Sequence, residues 1–203
     1  MSNGKLGFSF REMMSGGFAL GETDPAVGAQ KGKASVLTMH GAITIDDLDA
    51  FRNDPNHAGV LDVRMDWAPF GNDLPAPGGV FNLFSPSGDP KVKLMVYEWG
   101  LEHHGEKYYF AGHKNVEVHP LIDLWKDTTT LYTQLHKGAD KSGPVVGAGI
   151  ISLGAVELMQ MVGTFKALNA KSVEDSARAT AEFGRFFLGE LWDTYVKKQA
   201  GGN

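Results

Sequence analysis

Apolar and polar positions alternate with a period of two along most of the chain up to Leu153. In residues 59–67, Leu61, Val63, Met65 and Trp67 oppose Asp62, Arg64 and Asp66, the pattern of a strand with one buried face. Residues 7–20 place Phe8, Phe10 and Glu12 on one face and Ser9 and Arg11 on the other, and Gly16-Gly17 predicts a bend or bulge before Phe18. Residues 35–45 give Leu37, Met39, Ile43 and Ile45 one parity, and Val36, Thr38 and His40 the other. Residues 92–101 and 107–116 flank a short Glu-His-His-Gly-Glu segment and read as a hairpin. Shorter runs at 80–84, 128–135 and 145–153 read as further strands. Segments 21–33 and 69–79, rich in Gly, Pro and charge, read as loops, and Asp46-Asp47-Leu48-Asp49 reads as a capped helical turn.

After Leu153 the period changes. Leu158, Met161, Val162, Phe165 and Leu168 fit helical spacing and predict a helix over 155–168. Ser172 with Asp175 resembles a cap, and Ala177, Ala181, Gly184, Leu188, Leu191 and Tyr195 predict a final helix from 173 to about 198. Strands grouped first and helices last argue against a parallel doubly wound sheet. The fold class expected is mainly β: an antiparallel, calycin-like β-barrel of about eight strands over 7–153, or a two-sheet sandwich, with C-terminal helices over 155–198 and one domain spanning 1–203.

Composition narrows the chemistry. The 203 residues include no cysteine, which removes disulfides, thiolate metal sites and a Cys nucleophile. A net charge of −5 without a basic stripe argues against a nucleic-acid partner. No apolar run is long enough to span a membrane, and no apolar signal region follows Met1, so a cytoplasmic setting is expected. His103-His104 reads as a solvated turn, and His113, His119 and His136 lack a chelating spacing, so no metal is expected. No nucleophile-elbow motif is present, and no cofactor is expected. The Trp125–Thr130 stretch, with Asp127 and three threonines, reads as a local Asx or ST turn.

Glu12, Glu98 and His40 stand on strands amid apolar neighbours, Glu98 sharing parity with Val92, Leu94 and Val96. A carboxylate on a buried face belongs to a binding or catalytic site, or to a buried structural pair. With Tyr97, Trp99, Tyr108, Phe110 and Tyr132 they form the candidate ligand-binding set. Apolar walls with a few polar groups point to a binding module for an apolar small molecule, a sterol or a fatty acyl lipid. The alternatives are a cofactor-independent isomerase or cyclase, using Glu12, Glu98 or His40 as acid and base, and a protein-interaction module. The aromatic excess of the last helix (Phe183, Phe186, Phe187, Trp192, Tyr195) predicts a homo-oligomer contact or a covered barrel mouth.

Three stretches, FSFREMMSGG at 8–17, DLWKDTTTLYTQLHKG at 123–138 and GPVVGAGIISL at 143–153, together resemble the accessory, non-flavin domain of cholesterol-oxidase-like glucose-methanol-choline oxidoreductases. DDLDAFRNDPNHAG at 46–59 and VFNLF at 80–84 fit the same pattern, so the likeness covers most of residues 7–168 and leaves out the final helix. Gly147-Ala148-Gly149 sits in an apolar strand, outside the strand-to-helix context of a dinucleotide fingerprint. The resemblance therefore implies association with a flavin-dependent oxidoreductase and with lipid or sterol oxidation, and it supplies no catalytic residue.

Overall fold

The computed structural model describes residues 4–117 and 128–192. Eight antiparallel strands follow one another around a closed wall: β1 (Gly7–Leu20), β2 (Val36–Ile45), β3 (Ala58–Trp67), β4 (Gly71–Pro86), β5 (Val92–His103), β6 (Glu106–Glu117), β7 (Thr130–Lys137) and β8 (Val145–Ser152). Each pairs with its successor. Closure falls to β1, the longest strand but one: it pairs with β2 from Phe8↔Ile45 to Gly17↔Val36, and with β8 from Ser15↔Ser152 to Leu20↔Gly147. The result is an up-and-down barrel and not a sandwich, and closure removes the long exposed edges that a sheet of this size would otherwise carry.

The alternation read from the sequence sets what fills it. Phe8, Phe10, Glu12 and Met14 of β1, Leu37, Met39, Ile43 and Ile45 of β2, and Leu61, Val63, Met65 and Trp67 of β3 turn inward and are buried. One end is plugged by aromatic rings: Trp67 stacks on Phe70 at 5.1 Å, Trp99 on Phe110 at 4.9 Å, and Phe18 meets Trp67 edge-on at 5.0 Å. The plug needs a bare wall opposite it. A Cβ on Gly149 would stand 2.5 Å from the Phe18 ring and 2.4 Å from the Gly17 carbonyl. The outer wall carries charge, with Arg11, Asp62 and Arg64 exposed on β1 and β3, the reverse of a barrel whose outside meets lipid. No helix among the described residues is long and apolar enough to cross a membrane.

Several elements depart from the sequence reading. Segment 21–33 is not all loop: α1 (Pro25–Lys31) starts there, because Asp24 accepts from the Val27 amide and Pro25 takes the first turn. Gly28 lets this helix touch the barrel, since a Cβ there would lie 2.0 Å from the Ala148 carbonyl. Residues 71–79 are strand despite Pro75 and Pro77. They pair with β3 (Arg64↔Pro75, Val63↔Ala76), while pairing with β5 begins only at Val80, so the prolines stand on a one-sided edge where a missing N–H costs nothing. Gly16-Gly17 makes no bulge, and the register with β8 is the same on either side of it.

The expected short helix over α2 (Leu48–Asn53) forms, with Asp47 accepting from the Asp49 and Ala50 amides. The 92–116 hairpin forms around His104 and Gly105, both at positive φ as a tight primed turn requires. The helix expected over 155–168 ends early. It becomes α3 (Ala155–Gly163), followed by the short strand β9 (Lys166–Leu168), which pairs with Gly7–Ser9 of β1. The reason is an unmet edge: β8 pairs with only the later half of β1, leaving the earlier half open on that side. Thr164 bridges the remaining gap, its Oγ1 accepting from the Arg11 amide at 2.8 Å. The last helix, α4 (Val173–Trp192), begins where Ser172 Oγ accepts from the Asp175 amide. The expected continuation to 198, the side chains of Trp192 and Tyr195, His119, and Trp125 to Asp127 lie outside the residues whose side chains are described.

Candidate functional site

At the end opposite the aromatic plug, α3, β9 and α4 cover the barrel mouth. Phe183 of α4 stacks on Phe8 at 4.4 Å and meets Phe165 edge-on at 5.8 Å. Phe186 packs on Phe51 and His57, and Phe187 on Phe84. Phe84 reaches that contact from a bulge between β4 and β5, with a positive φ of 55°. The phenylalanines of α4 are thus turned onto the barrel, which is the covered-mouth arrangement.

Between plug and cover lies a cavity of about 330 Å³. Its walls are Phe10, Phe81, Leu83, Met95 and Leu153, and its roof is Leu158, Met161, Phe165, Phe183 and Phe187. Five polar residues line it as well: Glu12 of β1, Tyr97 of β5, Lys114 of β6, and Thr128 and Thr129 just ahead of β7. The side chains of Glu12 and Lys114 are each only 2% exposed, with Lys114 Nζ 3.9 Å from Glu12 Oε2. Lys114 also donates to the Tyr97 hydroxyl at 3.4 Å and stands 4.7 Å from the centre of its ring. Burial pushes the Lys114 ammonium below the ordinary lysine value, and the Glu12 carboxylate partly restores it. Burial first, then the charge of Glu12 and a hydrogen bond from the phenol to its carboxylate, hold the Tyr97 phenol well above its ordinary value, so it stays protonated. Glu12 Oε1 is buried and has no hydrogen-bond partner; among the described residues Trp99 Nε1 and Thr133 Oγ1 share that condition on the inner wall.

Of the residues singled out from sequence, Glu12 and Tyr97 line this cavity, and Trp99 and Phe110 form part of the plug beneath it. Tyr108 faces the plugged end, edge-on to Phe70 at 4.9 Å. Glu98, His40 and Tyr132 stand on barrel strands but do not face the interior. Glu98 turns outward because Met95, Tyr97 and Trp99 take the inner parity of β5; it accepts from Tyr109 at 2.6 Å and from Lys141 at 2.8 Å. His40 sits on the outer wall, 3.0 Å from Asp66. Tyr132 lies outside beside His113, opposite the inward parity of Leu131 and Thr133. Glu12, Glu98 and His40 therefore do not converge on one acid–base site. Lys114 escaped the sequence reading, because a lysine on a strand is ordinarily outward. Its signal was parity: it alternates in step with Phe110, Gly112 and Val116.

A larger and more open groove, about 980 Å³, runs along the outside of β1 to β3 beneath α3. Two of its charge pairs are already made, Asp66 with His40 and Arg64 with Asp73. The smaller cavity under the helical cover is the better candidate, since it joins apolar walls to a buried polar group that lacks a partner. No three His, Asp or Glu side chains among the described residues are grouped to hold a metal ion. No family model, curated protein or solved structure significantly matches this chain.

Proposed function

We propose that the protein is a binding module for an apolar small molecule held inside the barrel. The observation that carries this reading is the covered cavity of about 330 Å³, walled by aromatic and aliphatic side chains and entered by Glu12, Tyr97 and Lys114. A fully dry core of the same composition would close such a space, because protein interiors pack to crystal-like density. At ~30 Å³ per water-sized atom the space takes roughly a dozen heavy atoms. That volume favours a medium-length acyl chain or a small cyclic compound over a four-ring sterol. Extraction of the purified protein into organic solvent, with native mass spectrometry before and after, tests the reading. A bound apolar compound is expected, and Met95→Trp, which fills the cavity, should abolish it. Protein that carries nothing, and takes up no medium-chain compound when offered one, would refute it.

The role beside a flavin-dependent oxidoreductase rests on the sequence resemblance of residues 8–17, 123–138 and 143–153, with 46–59 and 80–84 fitting the same pattern. The barrel would then present or store an apolar compound and leave the redox step to its partner.

A further inference from the structure

We infer that the cavity selects a neutral alcohol, whose hydroxyl donates to Oε1 of Glu12, over a fatty acid, an amine or an ether. This rests on the reading of the cavity as a binding site and adds the chemistry of its occupant. Glu12 lines the cavity with its side chain 2% exposed, and Oε1 is left without a hydrogen-bond partner. An ionised carboxylate oxygen only accepts, so what completes it must donate. The sign of charge then decides among donors. Lys114 Nζ, 3.9 Å from Oε2, already balances Glu12, and the pair brings no net charge to the cavity. A second carboxylate would face Glu12 as a like charge between largely apolar walls. An ammonium would enter as a second cation beside Lys114, buried without an anion of its own. Tyr97 offers neither anion nor cation, since its phenol stays protonated and its one proton is already turned to the Glu12 carboxylate, where Oε1 is still left without a partner. A hydroxyl satisfies Oε1 and adds no charge. Apart from Thr128 and Thr129, the rest of the lining, including Phe81, Leu83, Met95 and Phe183, is apolar and suits an alkyl body.

Four compounds of nearly equal size separate the possibilities: 1-octanol, heptyl methyl ether, octanoate and octylammonium. Each is titrated into the full chain carrying ¹³C-methyl methionine, with the Met95 and Met161 resonances as reporters. Octanol should bind at least about tenfold tighter than the ether, the effect of one hydrogen bond to a charged acceptor. Both ions should bind more weakly than octanol. In the double variant Glu12→Leu/Lys114→Met the octanol and ether affinities should become equal while the ether still binds. Octanoate binding as tightly as octanol, or ether equal to octanol in the unmodified protein, overturns the inference while leaving a binding cavity in place. If none of the four moves either methyl resonance, the binding reading itself fails, and this inference falls with it.

Discussion

Replacing Glu12 and Lys114 singly and together should give strongly non-additive losses. Each is 2% exposed, and their charged atoms are 3.9 Å apart. At an effective dielectric near 20, that separation corresponds to a gross attraction of about 4 kcal/mol. Removing one partner forfeits the attraction and strands the other charge, so Glu12→Leu or Lys114→Met alone should cost about 3–5 kcal/mol. Removing both exchanges a desolvated pair for apolar volume, and the double variant should lie within about 1 kcal/mol of the parent or above it. Urea unfolding followed by tryptophan fluorescence measures all three, because Trp67 and Trp99 are 1% and 0% exposed and report loss of the barrel interior. Losses that simply add in the double variant would refute the reasoning: the two groups would then be solvated independently rather than coupled.

The pH dependence follows from the same pair. Lys114 is depressed in the folded state, so between its folded and ordinary values the unfolded chain holds the extra proton, and stability rises with pH across that window. Tyr97 acts oppositely: above the ordinary tyrosine value the folded state keeps a proton that the unfolded chain loses, and stability falls. Urea midpoints across alkaline pH should therefore lose their rising limb in Lys114→Met and keep the later fall. Phe183→Ala, which removes a 3% exposed ring stacked on Phe8, should cost about 3–5 kcal/mol in the same assay. Gly28→Val should lower the thermal midpoint through about 1–3 kcal/mol of overpacking, because its Cβ would press on the Ala148 carbonyl. Thr164→Val should cost about 1 kcal/mol and speed deuterium exchange at the Arg11 amide, which loses its acceptor.

How far the site could be read in the chain differed from strand to strand. In β3 every second residue from Leu61 to Trp67 is apolar and the intervening ones are charged, so local order alone assigns the inner face. In β5 both parities are apolar, with Val92, Leu94 and Val96 on one and Met95, Tyr97 and Trp99 on the other. Sequence reading put Glu98 with the first set and expected it inside, whereas the neighbours' register, Tyr97↔Gly112 and Trp99↔Phe110, turns the second set inward. Lys114 failed to stand out for the opposite reason. Residue type argues for the surface, and only its step with Phe110 and Val116 places it in the barrel.

The order of amino acids by itself determined the strands, their antiparallel succession and the greasy face of most of them, because side-chain alternation is a local property of extended backbone. It also determined the helix starts at Asp47 and Ser172, where a side-chain oxygen meets amides a few residues on. Only the tertiary structure decided that β1 would pair on both sides and close a barrel, that 166–168 would be strand and not helix, and that Glu12, Tyr97 and Lys114 would meet. Those outcomes depend on partners distant in sequence: an open stretch of β1 edge, a neighbouring register, and a cavity whose contents come from three separate strands. Local periodicity says which way a residue points along its own strand, and closure of the wall says what it points at.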